Sequence, residues 1–372
     1  MKKINVFYDY KIFFNQNLGG PSRYFLSLIN SLDKKQIDFL ISSPIYHNQY
    51  LKLFCKHYDK NISGIYIKNK LIYSHKILSF YNYISSSIRF TYSKSQLYHP
   101  TYYGKGIINF SKKPIILTVH DLIHEKYSND LNLRTIDKKK YLIQKANHFI
   151  CVSNNTKKDL IKYYNVDEKK ISVIYPGVKN IFLDFESNYE YELKIKKPYF
   201  LYVGTRNKYK NYRNFLKAYS SSEILKKNFN IVFFGGGPFT KNEKVFLNDL
   251  EINFENLVYD YGMDYKLKKY YQNAIALVYP SIYEGFGSVP LEAMNFGCPV
   301  LSSNASCLPE VQENASEKFD PESVDSIRTS LEKIAYNKDL KETLIKEGFK
   351  RVKNFSWDKC ARETEKIYKL YS

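Results

Sequence analysis

Two glutamates, Glu284 and Glu292, stand with seven residues between them in the run PSIYEGFGSVPLEAM. Between them lie Gly285, Phe286, Gly287 and Ser288, where an apolar stretch ends in a glycine-bearing turn. A helix is predicted to start near Ser288 and to close at Gly297-Cys298-Pro299. Free N–H groups at such a start, with the positive end of the dipole, favour a phosphate or polyhydroxyl ligand. Glycine on both sides of Phe286 lets a ligand come close to the main chain. In that setting both carboxylates can accept hydrogen bonds from the hydroxyls of one bound sugar. A purely structural use fits as well, with Glu292 complementing the helix dipole and Glu284 capping the turn. Both readings stand at this point.

A second loop, Gly204-Thr205-Arg206-Asn207-Lys208-Tyr209-Lys210-Asn211, follows an apolar run directly. Arg206 offers a forked donor and Lys210 a point charge, the groups that would offset a departing diphosphate. A basic loop is also what ordinary solvated surface looks like. Gly19-Gly20, with Arg23 nearby, forms a third glycine turn, suited to a phosphate or to close helix–sheet packing. His120-Asp121 follows the apolar run Ile115–Val119, at the strand end where open α/β sheets bind ligands. There is no GxxxxGK[ST] loop and no DxD-type pair, so no metal is expected. Gly235-Gly236-Gly237-Pro238 reads as a strand-end turn.

These residues sit on a repeated pattern. Apolar runs at Ile4–Tyr8, Ile115–Val119, Phe149–Val152 and Ile171–Val178 alternate with helical spacing such as Tyr24, Phe25, Leu28, Ile29 and Leu32. The pattern restarts at Tyr199–Val203, with a helix over Asn211–Tyr219 and strands at Ile231–Phe234 and Ala274–Tyr279. A polar, acidic linker is expected around residues 180–197. With 372 residues, this predicts two doubly wound α/β domains, 1–180 and 181–355, facing across a cleft. The last segment, 356–372, is expected as a helix crossing back to the first domain.

Five scattered cysteines without a CxxC pair suggest neither a disulfide framework nor a zinc site, and fit a reducing compartment. The amino terminus lacks the apolar core of a signal peptide, and no uncharged apolar run reaches the length of a spanning helix. Of the net charge of +20, residues 1–180 carry 29 Lys/Arg against 11 Asp/Glu (+18), and residues 181–372 carry 28 against 26 (+2). That asymmetry points the first half at something anionic. Nucleic acid is not expected, because no helix–turn–helix, RNP or zinc-finger pattern is present and the loop glutamates would repel phosphate.

In order along the chain come GGPSRYF, TVHDLI, VSNNTKKDL, VIYPGV, YVGTRNKYKN, FFGGGP, YPSIYEGFGSVPLEAMNFGCPVL and FSW. This ordered set resembles the family 4 retaining glycosyltransferases of the GT-B fold, in particular bacterial mannosyltransferases, over most of the chain. The resemblance implies a nucleotide-diphosphate sugar, GDP-mannose or a UDP-hexose, as co-substrate without further cofactor. Glu292 would bind the ribose, and Glu284 the sugar hydroxyls together with the backbone of Gly285, Phe286 and Gly287. Arg206 and Lys210 would clamp the diphosphate, and Gly20 would approach it from the other domain. His120 would lie beside the sugar ring, with Gly262 and Met263 near the base. In many relatives the arginine follows the loop glycine directly, whereas Thr205 intervenes here, which makes Lys210 the firmer assignment. Retention without a carboxylate nucleophile is implied, the donor's phosphate taking the acceptor's proton.

The acceptor class that fits is a lipid-linked or growing surface polysaccharide, met by a cytoplasmic protein lying on the anionic inner face of the cell membrane. Tyr73, Ile77, Phe80, Ile84 and Ile88 recur at helical steps with Lys76 and Arg89 nearby. Such a stripe is expected to face a core, while the wider basic surface, densest at Lys138, Lys139 and Lys140, attracts lipid. The rival readings are a sugar-nucleotide epimerase, a nucleic-acid-binding protein and an inactive sugar-nucleotide sensor.

Overall fold

The computed structural model describes residues 3–56, 61–68, 75–104, 107, 112–127, 133–179, 181–182, 191–195 and 197–372. Tyr73 and most of the expected linker lie outside the described residues. The chain divides into two units, Met1–Gly177 with Ser356–Ser372, and Val178–Phe355.

In the first unit, β1 (Ile4–Tyr8), β2 (Ile37–Tyr46), β3 (Ile62–Tyr66) and β4 (Leu97–His99) form a parallel sheet in the order β3-β2-β1-β4. A parallel bridge between Tyr98 and Ile115 leads on to β5 (Ile116–Val119), β6 (His148–Cys151) and β7 (Ile171–Val173). Helices cover both faces of such a sheet, which favours apolar residues on consecutive positions of its central strand; Val6, Phe7 and Tyr8 are wholly buried in succession. Helix Gly20–Ser31 starts at the Gly19-Gly20-Pro21 turn, with proline in its first turn where an N–H has no partner to lose. Helix Trp357–Tyr371 packs on it and sends Tyr368 Oη to within 2.8 Å of Tyr8 Oη.

Two sequence expectations change here. Helix His75–Tyr92 turns Ile77, Phe80, Ile84 and Ile88 outward, not toward the core. Its inner face carries Phe90 into the core but is otherwise polar where it meets β2: Asn82 gives and takes hydrogen bonds with both peptide groups of Ile45, at 2.9 and 2.7 Å. Pairing of β2 with β3 slips between Ser42 and Ile45, and an amide can satisfy peptide groups that an irregular strand leaves open where a leucine cannot. Lys139, counted above as basic surface, is fully buried with its ammonium 2.9 Å from Glu125. Only Lys138 and Lys140 of that trio face solvent.

The second unit carries β8 (Tyr199–Val203), β9 (Asn230–Phe234), β10 (Leu257–Asp260), β11 (Ala276–Tyr279), β12 (Val300–Ser303) and β13 (Glu317–Phe319) in the parallel order β10-β9-β8-β11-β12-β13. Chain order reverses between β8 and β11, which pair at Phe200–Ala276 and Leu201–Leu277. Ligands of open α/β sheets bind outside the carboxyl ends of strands at such a reversal. Both glycine loops, 204–211 and 280–287, leave the sheet there.

Candidate active site

The two loops are joined by main chain before any side chain matters. Ile282 N–H donates to Tyr209 C=O at 2.8 Å, and Gly204 N–H donates to Phe234 C=O at 2.9 Å. A short 3-10 turn over Lys208–Lys210 ends at Asn211, whose left-handed backbone opens helix Tyr212–Ser220. Asn211 tolerates that conformation, and its side-chain amide is pinned to Pro321 C=O at 2.7 Å. Lys210 is thereby aimed across to the other loop. Its Nζ lies 2.5 Å from Glu284 Oε1 and 3.2 Å from Tyr279 Oη, and Tyr279 donates to the same Oε1 at 2.8 Å. Ser306 Oγ accepts from Glu284 N–H at 2.9 Å, fixing the backbone behind the carboxylate. A cation and an anion placed in this way can serve a diphosphate and a sugar hydroxyl respectively.

Gly287 makes the turn into helix Ser288–Asn295 possible. Its φ of 75° is left-handed, and a Cβ there would meet Leu308 Cδ2 at 2.6 Å. Ser288 is the first helical residue, Gly285 lies in the turn, and Phe286 is buried edge-on against Phe355 with centroids 5.6 Å apart. One helical turn on, Glu292 is buried and lines a shallow pocket with Val178, Asp264, Leu267 and Tyr271. Gly262 and Met263 do not line it; they lead into helix Asp264–Asn273, with Met263 at its N-cap position. The Asp260 carboxylate anchors their loop, taking Lys266 and Tyr270 at 2.5 Å each and Tyr191 at 2.9 Å. Burial by itself would raise the Asp260 pKa; these donors outweigh it and hold the group below the usual carboxylate range.

Arg206 differs from a free diphosphate clamp. Its side chain is only 4% exposed, with Nε 2.6 Å from Glu243 Oε1 and Nη2 donating to Gly237 and Pro238 C=O at 2.9 and 3.0 Å. The guanidinium also lies over Phe239, 4.7 Å from the ring centroid. Only Nη1, buried, has no hydrogen-bond partner among the described residues. Burial pushes the Glu243 pKa up, but Arg206 and Thr240 together bring it below its usual value. Glu243 was not foreseen, although Thr240-x-x-Glu243 is a capping-box sequence and forms one at helix Lys241–Asp249. Tyr279 and Ser306 carried no sequence signal, because their roles arise from the meeting of segments distant in the chain.

Gly20 and His120 belong to the first unit. Gly20 begins its helix with nothing within 4 Å of the position a Cβ would take. One turn later, Tyr24 and Phe25 stand edge-on to the His120 ring, with centroids at 5.0 and 5.9 Å. Trp357 backs Tyr24 at 5.7 Å, so the GGPSRYF, TVHDLI and FSW segments meet around one imidazole. Burial lowers the His120 pKa to about 4, against the pull of Asp121 and with Lys139 adding to the shift. The ring is therefore neutral near pH 7, and its Nε2 has no hydrogen-bond partner among the described residues. No group of three or more His, Cys, Asp or Glu suited to a metal occurs among the described residues.

Comparison with known proteins follows the same two-part division. The family "Glycosyltransferase Family 4" matches residues 18–180, and "Glycosyl transferases group 1" matches 185–351. An O-antigen chain mannosyltransferase, RfbU of Salmonella typhimurium, is 31% identical over 59% of this chain and 60% of its own length. O-antigen chain mannosyltransferase B of Escherichia coli is 33% identical over 46% of each chain. The chain thus spans about half of these curated relatives in the matched part. Sucrose-phosphate synthase from Thermosynechococcus elongatus superposes with a TM-score of 0.75 over 99% of both chains at 16% identity, which identifies the GT-B fold. With both units matched over nearly their whole length, the chain belongs to the family 4 glycosyltransferases.

Proposed function

We propose that this protein transfers a hexosyl group from a nucleoside-diphosphate sugar, GDP-mannose or a UDP-hexose, to a lipid-linked or oligosaccharide acceptor in bacterial surface-glycan synthesis. The reaction proceeds with retention, at the cytoplasmic face of the membrane. The observation that carries the reading is the Lys210–Glu284 pair, held where β8 and β11 diverge. Mannose is favoured by the likeness to O-antigen mannosyltransferases.

In the reaction, the bond between the sugar's anomeric carbon and the diphosphate oxygen breaks, and its electron pair leaves with the diphosphate. Lys210 meets the charge that develops there, an interaction that strengthens as the bond lengthens. The acceptor oxygen bonds to the same face of the anomeric carbon, and its proton passes to the departing phosphate oxygen. Glu284 holds sugar hydroxyls and orients Lys210, so no covalent role falls to it. Glu292 holds the ribose, and the Gly262-Met263 main chain lies against the base. Arg206 keeps the 204–210 loop in shape through Glu243 and presents Nη1. Neutral His120 offers a hydrogen bond to the sugar without adding a cation.

A thermal-shift panel of GDP- and UDP-sugars tests this, since a ligand that binds only the folded state raises Tm. GDP-mannose is expected to give the largest rise in the parent and a smaller one in Glu292→Gln at the same concentration. A panel that leaves Tm unmoved, with no sugar transferred to membrane extracts, overturns the proposal.

A further inference from the structure

Helix His75–Tyr92 sends Phe90 into the core, yet it also carries apolar side chains on the opposite, outer face. Asn82 and Ser86 face β2 and are fully buried, Ser86 Oγ lying 3.1 Å from Ser42 Oγ, while Phe80 is 64% and Tyr92 84% exposed. At about 100° per residue, Ile77, Phe80, Tyr81, Ile84, Ile88 and Tyr92 fall within one arc of roughly 120°, opposite Asn82 and Ser86. Lys76 and Arg89, both exposed, flank that arc on its two sides. Asn82 on the inner face satisfies the slipped strand, but nothing among the described residues of this unit requires the outer face to be apolar. A contiguous apolar patch of this kind, rimmed by charge, marks a surface that meets another phase or molecule.

Charge decides which. Residues 60–120 contain nine Lys/Arg and no Asp/Glu. A second copy of this chain would bring the same basic stretch against itself, and like charges face each other in a symmetric contact. An anionic bilayer offers the opposite sign together with a hydrocarbon boundary, in which Phe, Ile and Tyr side chains gain by burial. We infer that the outer face of helix His75–Tyr92 is the surface by which this protein docks on anionic lipid, its apolar arc entering the headgroup boundary while Lys76 and Arg89 pair with lipid phosphates. The inference deepens the membrane-acceptor reading above and rests on it for its purpose.

The experiment is co-sedimentation of the full chain with phosphatidylglycerol–phosphatidylethanolamine vesicles, beside phosphatidylcholine vesicles. The parent is expected to partition at least tenfold more strongly onto the anionic vesicles. Phe80→Ser/Ile84→Ser/Ile88→Ser should lose at least tenfold of that binding, and Lys76→Glu/Arg89→Glu several-fold. These side chains are exposed, so an unchanged Tm verifies each fold. Equal partition of parent and triple-serine variant overturns the inference, as does indifference to lipid charge. A parent dimer that the serine variant splits overturns it too, because the face would then belong to a second copy. Sugar-nucleotide thermal shifts on the same samples separate the two readings. Donor binding without vesicle binding removes the docking face alone, and vesicle binding without donor binding removes the transferase reading alone.

Discussion

The two units handle charge in opposite ways. In the second, cations are matched to acids inside the fold: Lys210 to Glu284, Arg206 to Glu243, and Lys266 to Asp260. In the first, the buried Asp9 carboxylate is held by the neutral donors Tyr98 and Thr101, and the cluster around His99 is built from neutral groups, with His99 Nδ1 2.6 Å from Tyr368 Oη and His99 Nε2 2.8 Å from Thr118 Oγ1. Its cations, Lys139 excepted, mostly stand outside as a one-sided field. Paired charges fix geometry at hydrogen-bond range, which a reacting centre requires. Unpaired surface charges act over about a Debye length, some 8–10 Å, which suits attraction to a surface. On the proposed reading, the units would divide their labour according to whether acids accompany the bases.

The largest expected effect breaks the matched side of this contrast. Lys210→Ala should lower kcat by about 10²–10³, the cost of removing one donor to a developing anion. It also leaves Glu284 half-buried without its cation, so Lys210→Met/Glu284→Gln, which removes both charges, should retain the parental Tm while remaining inactive. Turnover near that of the parent in either variant would undo the assignment.

The neutral side should fail in acid. Burial lowers the pKa of His99 to about 3, with neighbouring His120 adding to it, and lowers that of His120 to about 4, from ordinary values of 6.5. A lowered folded-state value means the unfolded chain binds the proton more readily. Stability is therefore intact above pH 6.5 and is lost as pH falls from there toward 4. From 6.5 to 5 the loss is about 2 kcal/mol per imidazole. Glu243 and Asp260, both held below their usual values, cost the second unit stability only below the ordinary carboxylate range. The single tryptophan, Trp357, is buried in the first unit and reports on it alone. Its emission should shift red in moderate denaturant at pH 5 at a denaturant concentration where a large part of the chain's helical circular dichroism remains. Simultaneous loss would remove the contrast.

Two smaller effects sharpen it. Glu292→Gln should raise the donor KM about tenfold with kcat little changed, the pattern of binding lost equally from ground and transition states. Thr240→Ala removes the cap beside Glu243 and should cost about 1 kcal/mol, read from the urea midpoint. Should it also lower kcat, the Arg206–Glu243 pair is holding the 204–210 loop.

Much of the frame was legible in the residues. Tyr199–Val203 and Ile4–Tyr8 were placed at their observed bounds because strands buried on both faces must be apolar throughout. Gly287 signals a tight turn because glycine takes a φ of 75° without cost, and a Cβ there would also meet Leu308. Periodicity, however, records only that a face is apolar, so the Ile77–Ile88 stripe could not say whether it looks inward or outward. Tertiary structure decided that, through a slipped strand that needed Asn82 inside. It also decided which cations are spoken for, since Lys139 and Lys140 are identical in sequence terms and only folding brings Glu125 to one of them. Local spacing determines secondary structure and turns; which groups far apart in the chain share a hydrogen bond is settled only when the sheet forms and sets its loops side by side.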